Sequence, residues 1–226
     1  MAWQRMIRDT FGHQPCHLVA KTEADGLVGL LPLFLVRSRI FGRLLVSTPQ
    51  AAYGGILAAS EAVSQALFNR AAEMANELNV QFLELRSFGN TLLDQSVLQK
   101  DLYVTFRQEL YPDPETNMLA IPRKTRAEIR EGIRNDLEFR VDAIGPAEFF
   151  AVYSRSVREL GTPVFPKQLF MNGMKEFGSD CKICSVHWKG RLAAAVWTLF
   201  YKDEVVPYFG GSIREYNRLA VNNFMY

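Results

Sequence analysis

Trp3, Met6, Ile7 and Phe11 recur at helical spacing, so the chain opens with an amphipathic helix. The stretch HLVAKTEADGLVGLLPLFLVRS then predicts two strands about a turn at Asp25-Gly26, a dipeptide favoured in tight hairpins. Its apolar run from Leu27 carries Gly29 and Pro32 and reads as a buried strand with a bulge or edge position at the proline. RLLVSTP is a further strand and leads to AAYGGIL. Ser60 is placed to cap a long helix whose apolar stripe is Val63, Leu67, Ala71, Met74 and Leu78, ending at Asn79. VQFLELR follows as a strand, a shorter helix begins near Asn90, and LYVTFRQELY closes this half as a strand.

PDPETN, with two prolines and mostly polar neighbours, reads as a boundary between halves. After MLAI, Pro122 in a first-turn position opens a basic helix, PRKTRAEIREGIRND. LEFRVDAI alternates like a strand. Phe149, Tyr153, Val157 and Leu160 mark one helix, Phe170, Met174 and Phe177 a second, and GTPVFP separates them. KICSVHW, a Lys189-Gly190 turn, RLAAAVWTLFY, a turn at KDE and VVPYFGGS complete the strands, and a last helix follows.

Side by side, the halves repeat an order: helix, strand, glycine-bearing turn, long apolar strand, strand, a Tyr-(Phe)-Gly-Gly element and a helix. Tyr53-Gly54-Gly55 corresponds to Tyr208-Phe209-Gly210-Gly211. On this repeat the chain is expected to lack a strand at its front and a strand–helix–strand unit at its back. At 226 residues it has room for one large domain or two of about 100 residues each. A formal charge of +2 gives no whole-molecule field for DNA. Cys16, Cys181 and Cys184 are an odd set without framework spacing, which favours a reduced compartment. No apolar leader opens the chain, and the longest apolar run is about half a membrane span. A cytoplasmic protein with no transmembrane segment is the expectation.

The strand–helix–helix–strand–hairpin–strand–helix order resembles the GNAT acyltransferase fold, and two copies in tandem resemble the FemAB group. GLLPLFLVRSRIFGRLLVSTPQAAYGGIL, LELR, GTPVFP and VVPYFGGSIREYNRLAVNNFMY look like the FemAB-related, BioF-like acetyltransferase-domain proteins, in particular the subgroup associated with exosortase (PEP-CTERM) exopolysaccharide loci. The likeness runs from Trp3 to Tyr226, without the further strand and glycine-bearing segment that usually follow the last helix. It implies an α/β (α+β) fold of two tandem GNAT-like domains with mixed central sheets: 1–111, lacking its first strand, and 112–226, cut short at its C-terminus. It also implies an acyl- or aminoacyltransferase, with acyl-CoA or aminoacyl-tRNA as co-substrate and no metal. The acceptor would be an amine or hydroxyl of a cell-envelope or exopolysaccharide precursor, a small molecule or a lipid-linked saccharide. The alternative is a degenerate, non-catalytic GNAT pair that binds a polysaccharide precursor or a partner protein.

In such transfer the donor's amide-bearing arm pairs with an exposed strand edge and its phosphates rest on backbone N–H groups at the next helix start. No side-chain nucleophile is required, and the sequence singles out no catalytic residue. YFGGSIREYNRL falls where that site is expected, so Tyr208, Gly210, Gly211, Ser212, Asn217 and Arg218 are the donor-site candidates. The usual Q/R-x-x-G-x-G/A loop of acetyl-CoA users is absent, which keeps aminoacyl-tRNA open as donor. The other reading is that the two glycines only turn the chain. Arg123, Arg126, Arg130 and Arg134 form one helical stripe beside Ile129 and Ile133, either a phosphate-binding face for the acceptor or tRNA, or an ordinary solvated face broken by Glu128 and Glu131. RNA binding through that stripe alone is a third reading. Cys181 and Cys184, three apart in a strand, point to opposite faces, which argues against a shared metal. His13 and His17 read as structural, and Glu84 as a partner of Arg86 or a proton acceptor.

Overall fold

The computed structural model describes residues 2–88, 97–100 and 104–226. The chain divides into two compact units, residues 7–107, and residues 1–6 together with 108–226.

Helix α1 (Ala2–Phe11) opens the chain as its apolar spacing predicts. In residues 7–107 there follow β1 (Gln14–Pro15), β2 (Leu18–Lys21), β3 (Leu27–Leu31), β4 (Leu33–Ser38), β5 (Gly42–Ser47), β6 (Leu57–Ala58), α2 (Glu61–Glu77) and β7 (Phe82–Glu84). Asp25, at φ 63°, turns the β2–β3 hairpin. The long apolar run is two strands rather than one. Proline has no N–H to give the ladder, and at Pro32 the chain changes sheets. β3 lies in the sheet β2-β3-β6, and β4 in β1-β4-β5-β7. β5 pairs parallel with β7, the one non-antiparallel pair among the described strands, with α2 as the crossover.

Ser60 caps α2 as expected, its Oγ accepting from the Val63 N–H at 3.3 Å. Leu67 and Ala71 are buried, with Val63, Met74 and Leu78 packed around them. Gly29 brings helix and strand together: a Cβ there would lie 2.7 Å from Val63 Cγ1. Glu84 pairs with Arg86 at 2.7 Å. His17 Nδ1 accepts from the Leu33 N–H at 3.1 Å, and His13 stacks on Phe11. Tyr53-Gly54-Gly55 is irregular chain, with the Gly54 N–H donating to Arg86 O at 2.7 Å. The helix expected near Asn90 lies outside the described residues, as does the start of the expected strand LYVTFRQELY. Its described part, residues 104–111, is irregular.

The second unit holds α3 (Pro114–Ala120), α4 (Arg123–Arg134), β8 (Leu137–Val141), α5 (Pro146–Glu159), α6 (Lys167–Phe177), β9 (Cys181–Trp188), β10 (Arg191–Tyr201), β11 (Glu204–Ser212) and α7 (Val221–Met225). The expected linker PDPETN instead starts a helix. Asp113 Oδ2 accepts from the Thr116 N–H at 2.8 Å, so its carboxylate caps α3 with Pro114 at the first helical position. Pro122 sits just before α4 rather than inside it. The last helix is shorter than expected, because a 3₁₀ segment, Arg214–Leu219, intervenes.

Strands order as β11-β10-β9-β8, antiparallel throughout. Lys189 and Gly190 both take positive φ, as a two-residue hairpin turn demands. Ala193, Ala194 and Ala195 of β10 are fully buried, and their small side chains let helices close in. On one face, the rings of Phe149, Tyr153, Phe170, Phe209 and Trp197 interlock. On the other, Val221 and Met225 of α7 cover Leu137, Cys184, Val186 and Val196. Leu160, expected on the buried stripe of α5, ends that helix and is exposed. A Cβ on Gly173 would come within 2.5 Å of Trp197 Cζ2.

Gly173→Ala is expected to destabilise the fold by about 1–3 kcal/mol, because Trp197 has no space to retreat; urea unfolding measures it. A pH effect follows from the histidines. Burial lowers His13, His17 and His187 below their ordinary values. Above about pH 6.5 neither state binds these protons, so stability is flat. Below it the unfolded chain takes up protons that the fold resists, and stability falls until the folded values are passed. Urea midpoints measured from neutrality downward should show this loss, diminished in His187→Gln.

Candidate active site

The sheet of the second unit ends at β11, whose outer edge pairs with no strand among the described residues. The Ile213 N–H donates to Ala193 O at 2.8 Å. Backbone groups alternate toward and away from the partner strand. Counting back from Ile213, Gly211 turns inward to Ala195, while Ser212 and Gly210 turn their N–H and C=O groups to the open edge. A cleft of about 460 Å³ lies along that edge. Ser156 and Glu159 of α5, with Leu160 just after it, line one side, and Asn222 and Met225 of α7 with Tyr226 line another. Gly210, Gly211 and Ser212 make the floor, with Arg214 and Asn217 at the 3₁₀ turn.

The two glycines have different reasons to be there. A Cβ on Gly211 would stand 3.0 Å from both Tyr153 Cα and Ser156 Cβ, so the strand meets the α5 backbone itself. A Cβ on Gly210 would stand 2.5 Å from the Tyr226 hydroxyl oxygen. That hydroxyl dips to the floor although the residue as a whole is 70% exposed. Burial pushes the phenol above its ordinary value, so at neutral pH it remains an O–H donor. Ser212 Oγ donates to Asn217 Oδ1 at 2.8 Å and fixes the turn on the strand end. Arg155 bridges Glu159, at 3.2 Å, and Glu215. The Glu215 carboxyl is held below its usual range by its own backbone N–H and then by Arg155.

The structure therefore gathers Gly210, Gly211, Ser212 and Asn217 of the sequence candidates into one cleft. Tyr208 is not on its lining; its ring packs on Trp3 and Trp197. Arg218 is exposed on the 3₁₀ segment, also off the lining. The glycines lie within β11 rather than turning the chain after it. Ser156, Glu159, Arg214, Asn222 and Tyr226 were not anticipated. Ser156 and Glu159 share a helix face by their spacing of three, but nothing local says that this face meets a strand edge.

None of the four arginines of α4 lines the cleft. Arg126 donates to Leu119 O at 3.0 Å and so serves the end of α3, and Arg134 pairs with Glu131. Arg123 and Arg130 are exposed. Opposite the stripe, Gly132 lies under Phe224 of α7. Cys181 Sγ packs against Met174 Sδ at 3.3 Å, while Cys184 faces the α7 side, so the two sulfurs occupy opposite faces of the sheet. Burial pushes the Cys181 thiol up to about 12. No cluster of metal-ligating side chains occurs among the described residues.

The architecture is GNAT-like. Residues 123–226 match the family profile described as an acetyltransferase (GNAT) domain. Among solved structures, the crystal structure of FemX superposes at TM-score 0.66 with 9% identity, over 100% of this chain and 77% of that one. A conserved protein of unknown function from Bacteroides thetaiotaomicron gives 0.55 with 12% identity, over 99% and 73%. The C-terminal domain of a protein named as a lysylphosphatidylglycerol synthetase from Agrobacterium fabrum gives 0.51 with 11% identity, over 100% and 68%. No curated protein sequence matches.

Gly211→Ala should cost about 1–3 kcal/mol of stability, since the added methyl meets main chain that cannot swing away. Gly210→Ala should cost less, because the exposed Tyr226 ring is free to move. Parallel urea titrations of the two variants test the difference.

Proposed function

We propose that the chain is an acyl- or aminoacyltransferase of the FemAB/GNAT type. The observation that carries this reading is the open edge of β11, where the backbone groups of Gly210 and Ser212 face a cleft between α5 and α7. An extended, amide-bearing donor arm pairs with such an edge as an added strand would. The match of residues 123–226 to the acetyltransferase domain profile supports it.

In the reaction, the acceptor nitrogen or oxygen bonds to the donor's carbonyl carbon. The C–S bond of an acyl-CoA, or the ester C–O bond of an aminoacyl-tRNA, breaks, and the thiol or ribose hydroxyl leaves with a proton. Backbone N–H groups at the edge are suited to hold the carbonyl oxygen as charge gathers on it. The Tyr226 phenol is a proton donor at the floor of the cleft, and Glu159 a carboxylate on its wall. Gly210, Gly211, Ser212 and Asn217 bind the donor, with Tyr208 backing the strand and Arg218 beyond the turn. Arg123 and Arg130, with Arg126 and Arg134 beside them, are the acceptor's phosphate contacts. The acceptor is an amine or hydroxyl of a cell-envelope or exopolysaccharide precursor, a small molecule or lipid-linked saccharide met on the cytoplasmic side. The exosortase-associated FemAB subgroup is the context. tRNA is the partner if the donor is aminoacyl-tRNA.

Calorimetry with acetyl-CoA, and transfer assays with labelled acyl-CoA or aminoacyl-tRNA across amine acceptors, test the reading. Gly210→Val should weaken donor binding at least about tenfold, by filling the floor where the arm must lie, while the urea midpoint moves little. Wild-type protein that neither binds nor transfers from either donor would leave the non-catalytic alternative standing.

A further inference from the structure

The β4–β5 hairpin ends in a three-residue loop, Arg39-Ile40-Phe41, whose backbone is tied to Ser38. Ser38 Oγ accepts from the N–H groups of Ile40 and Phe41 at 3.2 and 3.0 Å. Gly42, at φ +70°, closes the turn in the left-handed region. The tip presents two adjacent large apolar side chains, Ile40 at 85% and Phe41 at 69% exposure.

Around the tip the chain reads Arg37, Arg39, Arg43, all exposed, with no acidic residue from 37 to 43. Arg37 and Arg43 stand directly opposite in the ladder. Like charges so placed repel, and none of the three arginines pairs with a carboxylate among the described residues. Arg43 Nη1 reaches only the Leu78 carbonyl, at 3.2 Å. An anionic partner would relieve that repulsion.

We propose that this hairpin tip docks the protein on an anionic lipid bilayer. Ile40 and Phe41 enter the boundary between headgroups and acyl chains, while Arg37, Arg39 and Arg43 hold lipid phosphates. The shape favours a bilayer over an acidic protein. A convex tip of two apolar side chains is far short of the ~800 Å² per partner that a stable protein interface buries, whereas a wedge with a basic collar suits a headgroup layer. The proposed contact is made by the tip alone; no helix among the described residues is long and apolar enough to cross a membrane. It rests on none of the donor-site assignments.

Sedimentation of the full chain with phosphatidylcholine vesicles, with and without phosphatidylglycerol, is the test. Binding is expected to the mixed vesicles only and to weaken with salt. Arg37→Gln and Arg39→Gln should each lower affinity about fivefold. Ile40→Ser with Phe41→Ser should lower it at least about tenfold, and their thermal unfolding should match wild type because both side chains are exposed. Fluorescence of Phe41→Trp should be quenched by brominated acyl chains. Absence of binding, binding of the double serine variant at wild-type strength, or an unquenched tryptophan would each overturn the proposal.

Discussion

Where α5 crosses β11, the helix main chain comes closer than a side chain on the strand would comfortably allow. Tyr153 Cα and the Val152 carbonyl lie 3.0 and 3.3 Å from the position where Gly211 would carry one. Much of the second unit follows from that approach. With α5 this near, Phe209 lies among the rings of Tyr153, Phe165 and Phe170. Trp197 likewise reaches α6 at a glycine, Gly173. The device recurs in the first unit, where Gly29 admits the side chains of α2. In both units a helix is seated on a sheet by omitting one side chain.

That economy explains what could be read in the sequence. Elements whose cause is local were legible: the Ser60 cap, the Asp25-Gly26 and Lys189-Gly190 turns, and the 3.6-residue stripe of α2. Elements whose cause is distant were not. Pro32 marked an interruption, but that the chain changes sheets there depends on which strands later pair with β3 and β4. The PDPETN stretch is an exception, a local signal misread: it carried a cap and a first-turn proline as well as linker composition, and the structure follows the cap. Part of the expected final helix is a 3₁₀ segment, across which Ser212 bonds to Asn217.

The candidate site shows the same division. A glycine pair following an apolar strand was visible as a place where something approaches closely, and the nature of the approach was not. Gly211 admits the main chain of a helix and Gly210 the hydroxyl of Tyr226, and both line the cleft. On α4, Gly132 meets Phe224 while Arg123, Arg130 and Arg134 are exposed, and Ile133, expected in the apolar row beside them, is exposed as well. The stripe's chemistry was partly claimed elsewhere: Arg126 serves carbonyls at the end of α3, which helical spacing does not encode.

An unpaired strand edge is a hazard for a soluble protein, because it offers its N–H and C=O groups to any extended chain. β11 carries neither charge nor a second proline over its last five residues to discourage this, only Tyr208-Phe209-Gly210-Gly211-Ser212. Beside that edge stand α5, through Ser156 and Glu159, and the segment ending at Tyr226, which line the same cleft. Burying Gly210 and Ser212 amides unpaired would cost about 1–3 kcal/mol each, so closing the cleft with side chains alone would be unfavourable. An open edge floored by Gly210, Gly211 and Ser212 is matched by a ligand that brings its own amides, as the proposed donor arm does.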